Sequence, residues 1–135
     1  MYEIMKNYQI RLWAIIALQF LFLVIFFDGV SAVDDFQSLI GRWQRPDGGY
    51  ILEIRRIDAE GKILAGYYNP RPINVSHALA SIYKGYIKVE VELRDAGYPG
   101  SHYTLVYDRA TDRLLGLYYH AISKRKFEVV FVRQK

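Results

Sequence analysis

Residues 86–94 read YIKVEVELR, and this stretch decides the fold. Every second residue from Ile87 to Leu93 is apolar, and the residues between them are charged. This is the period of a β-strand that has one face in a core and the other in water. Similar short runs follow one another along the chain, and turn residues separate them at intervals of roughly a dozen residues. The pattern predicts an all-β domain whose consecutive strands pair through hairpins.

The runs predict eight strands, separated by residues that form tight turns or lack a hydrogen-bond donor. The strands are predicted at residues 39–44, 50–57, 63–68, 75–83, 86–94, 101–107, 113–122 and 127–133. The count assumes that Lys84-Gly85 forms a turn, and one long unbroken strand is the alternative. Pro70 and Pro72 are expected to end the third strand and to stiffen the loop that follows.

Eight antiparallel strands leave two open edges, and pairing the first strand with the last removes both. The predicted fold is therefore an eight-stranded antiparallel up-and-down barrel, with a flattened sandwich as the alternative. The turns of such a barrel alternate between its ends, so those at Asp47 and at residues 69–72, 95–100 and 123–126 share one end. These loops include the long and proline-bearing ones, and we place the mouth of the barrel there.

Residues 1–32 predict a secretory signal sequence. Lys6 and Arg11 precede an apolar run at residues 12–27, and the small residues 30–32 suit a signal peptidase. Cleavage after Ala32 would leave a domain of residues 33–135 in the periplasm or outside the cell, without a stable membrane span. The alternative is a retained N-terminal membrane anchor, but the run is shorter than the roughly 20 residues that span a bilayer.

The composition excludes several classes of site. The chain has no cysteine, which excludes disulfides, thiolate zinc sites, cysteine nucleophiles and a cysteine-linked lipid anchor. Lys and Arg outnumber Asp and Glu by 18 to 14, but the excess is spread along the chain, which argues against a nucleic-acid partner. The histidines His77, His102 and His120 lie on separate predicted strands with no carboxylate at ligand spacing, so no metal site is assigned.

Catalytic motifs are not recognisable either. Asp47 or Asp95 beside a rim histidine forms a conceivable acid–base pair, but no nucleophile motif, carboxylate pair or phosphate-binding glycine loop accompanies it. We therefore assign no catalytic residue and no cofactor, and the sequence favours a binding protein over an enzyme.

Gly41, Trp43 and Arg133 carry a resemblance to the calycins, the superfamily of lipocalins, fatty-acid-binding proteins and avidins. In that superfamily a Gly-x-Trp tryptophan on the first strand packs against a basic side chain from the last strand and closes one end of the barrel. The turn order puts Trp43 and Arg133 at the end away from the mouth, as the resemblance requires. The short strands resemble the avidins most, but Trp43 is the only tryptophan after residue 32, so a biotin site lined by several tryptophans is not expected.

The candidate ligand-binding residues lie at the predicted mouth. They are Asn69, Arg71, Asn74, Tyr98, His102, Tyr103, Tyr119 and His120. Arg71 either presents a planar guanidinium to a carboxylate or phosphate, or is a solvated loop residue. The tyrosines on the strands either line a cavity or fill the core, depending on strand register. These tyrosines are Tyr67, Tyr103, Tyr107 and Tyr119.

These features together predict an exported small β-barrel that binds a small molecule or a short partner segment at its open rim. The alternative is an exported inhibitor or interaction protein that acts through its rim loops and has a solid interior. A barrel-type isomerase is a third interpretation. Oligomers are compatible with the resemblance, since avidins often assemble. An interior filled by its own tyrosines would argue against a small-molecule ligand.

Overall fold

The computed structural model describes residues 32–135. The signal sequence predicted at residues 1–32 lies outside this range except for Ala32, and it stays a prediction. Within this range, one short helix precedes nine strands: α1 Ala32–Gln37, β1 Gly41–Gln44, β2 Ile51–Ile57, β3 Ile63–Asn69, β4 Arg71–Ile73, β5 Val75–Tyr83, β6 Tyr86–Leu93, β7 His102–Asp108, β8 Arg113–His120 and β9 Arg125–Arg133. No helix within the described range is long and apolar enough to cross a membrane.

All nine strands form one sheet in the order β4-β3-β2-β1-β9-β8-β7-β6-β5, and every pair is antiparallel. The first strand pairs with the last, as predicted, with Trp43 opposite Arg133. The remaining seam is bridged where β3 begins, because the Ala80 backbone N–H of β5 donates to the Gly61 carbonyl across 2.7 Å. The sheet is thus a nearly closed barrel, as expected from the need to remove both edges.

The prediction of eight strands is wrong by one. Residues Arg71–Ile73, predicted as loop because of Pro70 and Pro72, form β4, and Pro72 lies opposite Tyr68 of β3. Proline is tolerated there because β4 is the last strand of the sheet, where a missing N–H breaks no further ladder. Only Asn74 separates β4 from β5, and both strands run antiparallel to β3. The order of the turns at the two ends is therefore the predicted one.

The turn at Lys84-Gly85 is confirmed, and it divides β5 from β6. Both residues have positive φ, 50° at Lys84 and 80° at Gly85, and Tyr83 pairs with Tyr86 across them. Positive φ at both central residues of a two-residue loop matches the right-handed twist of the flanking strands. The predicted alternative of one long strand is excluded.

The inner face of the barrel is filled with apolar side chains. Ile87, Val89 and Val91 are at most 2% exposed, as the alternation in residues 86–94 predicts, while Lys88 and Glu90 lie on the outer face. Other strands and the N-terminal segment complete this core with Phe36, Leu39, Leu52, Ile54, Leu93, Leu105, Leu114 and Phe131.

Trp43 and Arg133 meet at the end of the barrel where β1 begins. Trp43 is fully buried, and its indole N–H donates to the Leu39 carbonyl at 2.9 Å. The Arg133 guanidinium lies 4.1 Å from the centre of a Trp43 ring and donates to the backbone carbonyls of Ser38 and Ile40. Arg133 thus covers the tryptophan and satisfies carbonyls between α1 and β1 that would otherwise lack partners.

Gly41 and Asp112 complete the contacts of Arg133. Gly41 has φ +140°, and a Cβ there would lie 2.8 Å from the Arg133 guanidinium, so glycine suits this position. Asp112 accepts two hydrogen bonds from Arg133, at 2.7 and 2.9 Å, and these bonds lower the pKa of the carboxyl group. The residues quoted for the calycin resemblance therefore share one set of contacts.

Candidate functional site

Four connections meet at the end of the barrel away from Gly41 and Arg133. They are residues 45–50, Pro70, residues 94–101 and residues 121–124. Asn74, between β4 and β5, is held beside them by its hydrogen bonds to Asp95 in the longest of these connections, residues 94–101. This is the end at which the sequence predicts a mouth, and we call it the rim.

Three predicted site residues hold the rim connections to one another. The Asn69 side-chain amide donates to the Tyr98 hydroxyl at 2.6 Å. Asn74 donates to the Asp95 carboxylate from its backbone at 3.0 Å and from its side chain at 2.8 Å. These two bonds lower the pKa of Asp95. Asn69, Asn74 and Tyr98 therefore have structural partners of their own, and Asp95 pairs with Asn74 and not with a histidine.

Strand register separates the other predicted site residues, because successive side chains of a strand point to opposite faces. Tyr103 points inward and is 1% exposed, whereas His102 lies outside and packs against Tyr119, with ring centres 5.1 Å apart. His120 is at the end of β8, where its Nδ1 lies 2.7 Å from the Ser123 hydroxyl. The predicted set therefore does not converge on one pocket.

Two of the histidines stand closer to a carboxylate than the sequence suggests. Glu92 of β6 pairs with His77 of β5 on one side and with His102 of β7 on the other. The Glu92 carboxylate accepts a hydrogen bond from the Ser76 hydroxyl at 2.9 Å. In their present orientations, the side chains of the described residues form no group of three that could hold a metal ion.

The charged centre of the rim is Arg45, which the sequence prediction did not select. Arg45 is 7% exposed, and it donates to both oxygens of Asp47 at 2.9 and 2.6 Å. Its Nη1 donates to the Tyr103 hydroxyl at 3.1 Å, and its guanidinium lies 4.4 Å from the centre of the Tyr50 ring. The signal was present in the sequence, because a period of two puts Arg45 on the same inner face as Trp43.

Two buried tyrosines extend this network into the barrel. The hydroxyl oxygens of Tyr67 and Tyr103 are 2.7 Å apart, and both side chains are 1% exposed. The Tyr103 ring also stacks on Tyr118, with centres 4.6 Å apart, and meets Phe131 edge-on. With Tyr107 buried as well, three of the four strand tyrosines belong to the core, and Tyr119 lies outside.

Burial governs the ionisation of this network. It raises the pKa of Tyr67, and it raises that of Tyr103 to about 12 although the hydrogen bonds with Tyr67 and Arg45 act in the opposite direction. Burial alone would lower the pKa of Arg45, but its bonds to Asp47 and Tyr103 outweigh burial and raise it. The hydrogen bond from Arg45 lowers the pKa of Asp47. At neutral pH the network is thus an ion pair joined to two neutral hydroxyls.

Comparison with known protein families, curated proteins and solved structures finds no match to this chain.

The mouth above the network has an aromatic floor. Tyr118 pairs with Phe127 across β8 and β9, and their rings stack with centres 6.4 Å apart. Phe127 is 37% exposed, and Ile122, in the connection between these strands, is 60% exposed. Aromatic and aliphatic surface is therefore open to solvent beside the buried Arg45.

Exposed cations border this mouth. They are Arg71, Arg94, Lys124 and Arg125, and none of them forms a salt bridge with a residue in the described range. The carboxylates at this end already have partners, since Asp47 binds Arg45 and Asp95 binds Asn74. The rim therefore combines apolar surface with a net positive charge.

Proposed function

We propose that the chain is an exported binding module of calycin type that holds a short segment of a partner protein across its rim. Export rests on the signal sequence predicted at residues 1–32. The calycin assignment rests on the contacts among Gly41, Trp43 and Arg133. Binding rests on the surface and charge of the rim.

The observation that carries the proposal is the filled interior below the rim. Arg45, Tyr67 and Tyr103 occupy the space that a lumen ligand would need, and each already has a hydrogen-bond partner. A ligand entering there would have to break these bonds and leave buried polar groups unpaired, at a cost of about 1–3 kcal/mol each. We therefore favour a partner that lies on the rim over a small molecule inside the barrel.

The surface of the rim indicates the chemistry of that partner. The free cations Arg71, Lys124 and Arg125 suit carboxylates, and Ile122 and Phe127 suit an apolar side chain. The partner segment is thus acidic with at least one large apolar residue.

The test is a titration of the ¹⁵N-labelled protein with a peptide in which glutamates flank one phenylalanine, followed by amide chemical shifts. We expect shifts confined to the rim connections, and much weaker binding of the same peptide with lysines in place of the glutamates. Lys124→Glu and Arg125→Glu together should weaken binding by about tenfold or more, because attraction becomes repulsion.

The matched control is Lys84→Glu, which reverses an exposed charge in a hairpin at the opposite end of the barrel. Affinity in this variant should equal that of the unmodified protein. Equal affinity for both peptides, or shifts centred on the interior strands and not on the rim, would refute the proposal. Shifts at Tyr67 and Tyr103 on addition of small molecules that co-purify with the protein would favour the lumen instead.

A further inference from the structure

The outer wall of β6–β9 is unusually apolar. Val106, Leu115 and Leu117 are 37–43% exposed there, and Tyr86 is 62% exposed. Cross-strand pairing runs Lys88–Val106–Leu115–Val130 in one row, which we call the lower row. The adjacent row nearer the rim runs Glu90–Thr104–Leu117–Glu128, and we call it the upper row.

This wall is also indented. A depression of about 460 Å³ includes Tyr86, Val106 and Leu115 in its lining, and a second of about 560 Å³ includes Leu115, Leu117 and Val130. The two share Leu115, so apolar side chains and the hollows between them form one continuous patch. Contiguous exposed apolar surface of this kind marks association sites in soluble proteins.

We propose that this wall is the interface of a homodimer, a surface separate from the rim. The argument is charge complementarity between two copies of the same wall. Lys88 and Glu90 are neighbours on the outer face of β6, one in each row, and they form a salt bridge with each other at 3.0 Å. A second copy of the wall offers each of them a second oppositely charged partner, so that four alternating charges meet across the interface.

One arrangement brings these groups together. The twofold axis lies in the plane of the interface, between the two rows and perpendicular to the strands. It lays the lower row of one subunit over the upper row of the other. Lys88 then faces Glu90 of the partner subunit, and Leu115 faces Leu117 of the partner subunit. The same contacts repeat on the other side of the axis, as an isologous interface requires. Glu128 lies at the β9 end of the upper row and then faces Val130 of the partner subunit, at the edge of the interface.

The size of the patch sets the strength of the dimer. Four strands and their side chains cover an area on the order of 400 Å² at ordinary strand spacing. A dimer would bury about 800 Å² in total, which is less than the roughly 1,000 Å² of a stable interface and is in the range of transient ones. The dimer is therefore weak, with a dissociation constant between about 1 μM and 1 mM.

The test is sedimentation over a series of concentrations. The unmodified protein should pass from monomer to dimer as its concentration rises. Leu115→Lys should raise the dissociation constant at least about tenfold, because it puts a charge at the centre of the patch. The matched control is Leu64→Lys, since Leu64 is 49% exposed on β3, away from this wall, and the dimer should persist in that variant.

Charge reversal tests the arrangement itself. Lys88→Glu and Glu90→Lys should each weaken self-association, because like charges would then meet across the axis. A mixture of the two variants should dimerise again, since every facing pair in the mixed dimer is attractive. Mixing cannot restore a contact within one chain, so recovery reports on the interface alone.

Three results would overturn the proposal. The first is a single monomeric species up to about 1 mM. The second is equal effects of Leu115→Lys and Leu64→Lys, and the third is no recovery on mixing the two charge variants.

Discussion

Tyr103 is the residue at which the interior hydrogen bonds meet. Its hydroxyl contacts Arg45 at 3.1 Å and Tyr67 at 2.7 Å, whereas Tyr67 has no partner besides Tyr103 among the described side chains. The two tyrosines are equally buried, so they differ mainly in the number of these bonds. This difference allows the network to be tested with a pair of matched substitutions.

Tyr103→Phe should lower the free energy of unfolding more than Tyr67→Phe does. Loss of the Tyr103 hydroxyl leaves groups on both Arg45 and Tyr67 unpaired, at a cost of about 1–3 kcal/mol for each buried group. Loss of the Tyr67 hydroxyl leaves Tyr103 still bonded to Arg45. Urea unfolding of the two variants measures the difference, and both retain the aromatic ring and its packing. Equal losses would show that the hydroxyls do not form one network.

The ion pair at the rim predicts a dependence of stability on pH. Because Arg45 lowers the pKa of Asp47 in the folded protein, the pair stabilises the fold above the ordinary Asp pKa of about 3.9, and that contribution is lost as the pH falls through the lowered value. Asp47→Asn should therefore lose stability at neutral pH and show a flatter decline in acid. Urea unfolding between neutral pH and acid measures this.

The control for that series is Glu60→Gln, which removes an exposed carboxylate from the turn between β2 and β3. It forms no salt bridge with the described residues. A decline in acid that is as steep in Asp47→Asn as in the unmodified protein would contradict the prediction.

The hairpin of β5 and β6 is the element whose turn the sequence predicts with one long strand as the alternative. Its turn is two residues long, and Gly85 has φ +80° with open space where a Cβ would lie. Gly85→Ala therefore meets no steric contact with the rest of the protein, and its cost is that of the backbone conformation alone.

We expect Gly85→Ala to reduce the free energy of unfolding by about 1 kcal/mol, because an L-residue disfavours positive φ. The matched control is Gly97→Ala, another exposed glycine with open space around it but without positive φ. That variant should stay within about 0.5 kcal/mol of the unmodified protein. Thermal or urea unfolding measures both, and equal effects would contradict the assigned turn.

Element β4 shows where local signals failed. From the neighbouring residues alone, Pro70 and Pro72 predict a loop. Whether a missing N–H matters depends on what lies on the other side of the strand, and that is known only once the order of the sheet is known. Because β4 ends the sheet, Pro72 is compatible with pairing to β3.

The barrel formed by the described residues has two ends with different side chains. At one end Arg133 covers Trp43 and binds Asp112, and the neighbouring hairpin exposes Tyr83 and Tyr86. At the rim, several free cations border exposed apolar side chains such as Ile122 and Phe127. This combination of cations and apolar surface is the reason that we place binding at the rim.

The sequence by itself determined the all-β class, the seven turns at which the chain reverses between strands and the division of those turns between two ends. These properties depend on neighbouring residues, through a period of two and through turn chemistry, so they can be read without coordinates. It also put Trp43 and Arg133 at the same end.

Only the tertiary structure decided which side chains meet inside the barrel. Arg45, Tyr67 and Tyr103 are far apart in the chain, and their contact depends on the register of several strands at once. A shift of one residue in any strand would turn its side chains to the opposite face. The same dependence separated Tyr103 from His102 and Tyr119, because register, and not sequence proximity, assigns each residue to the core or to the outer wall.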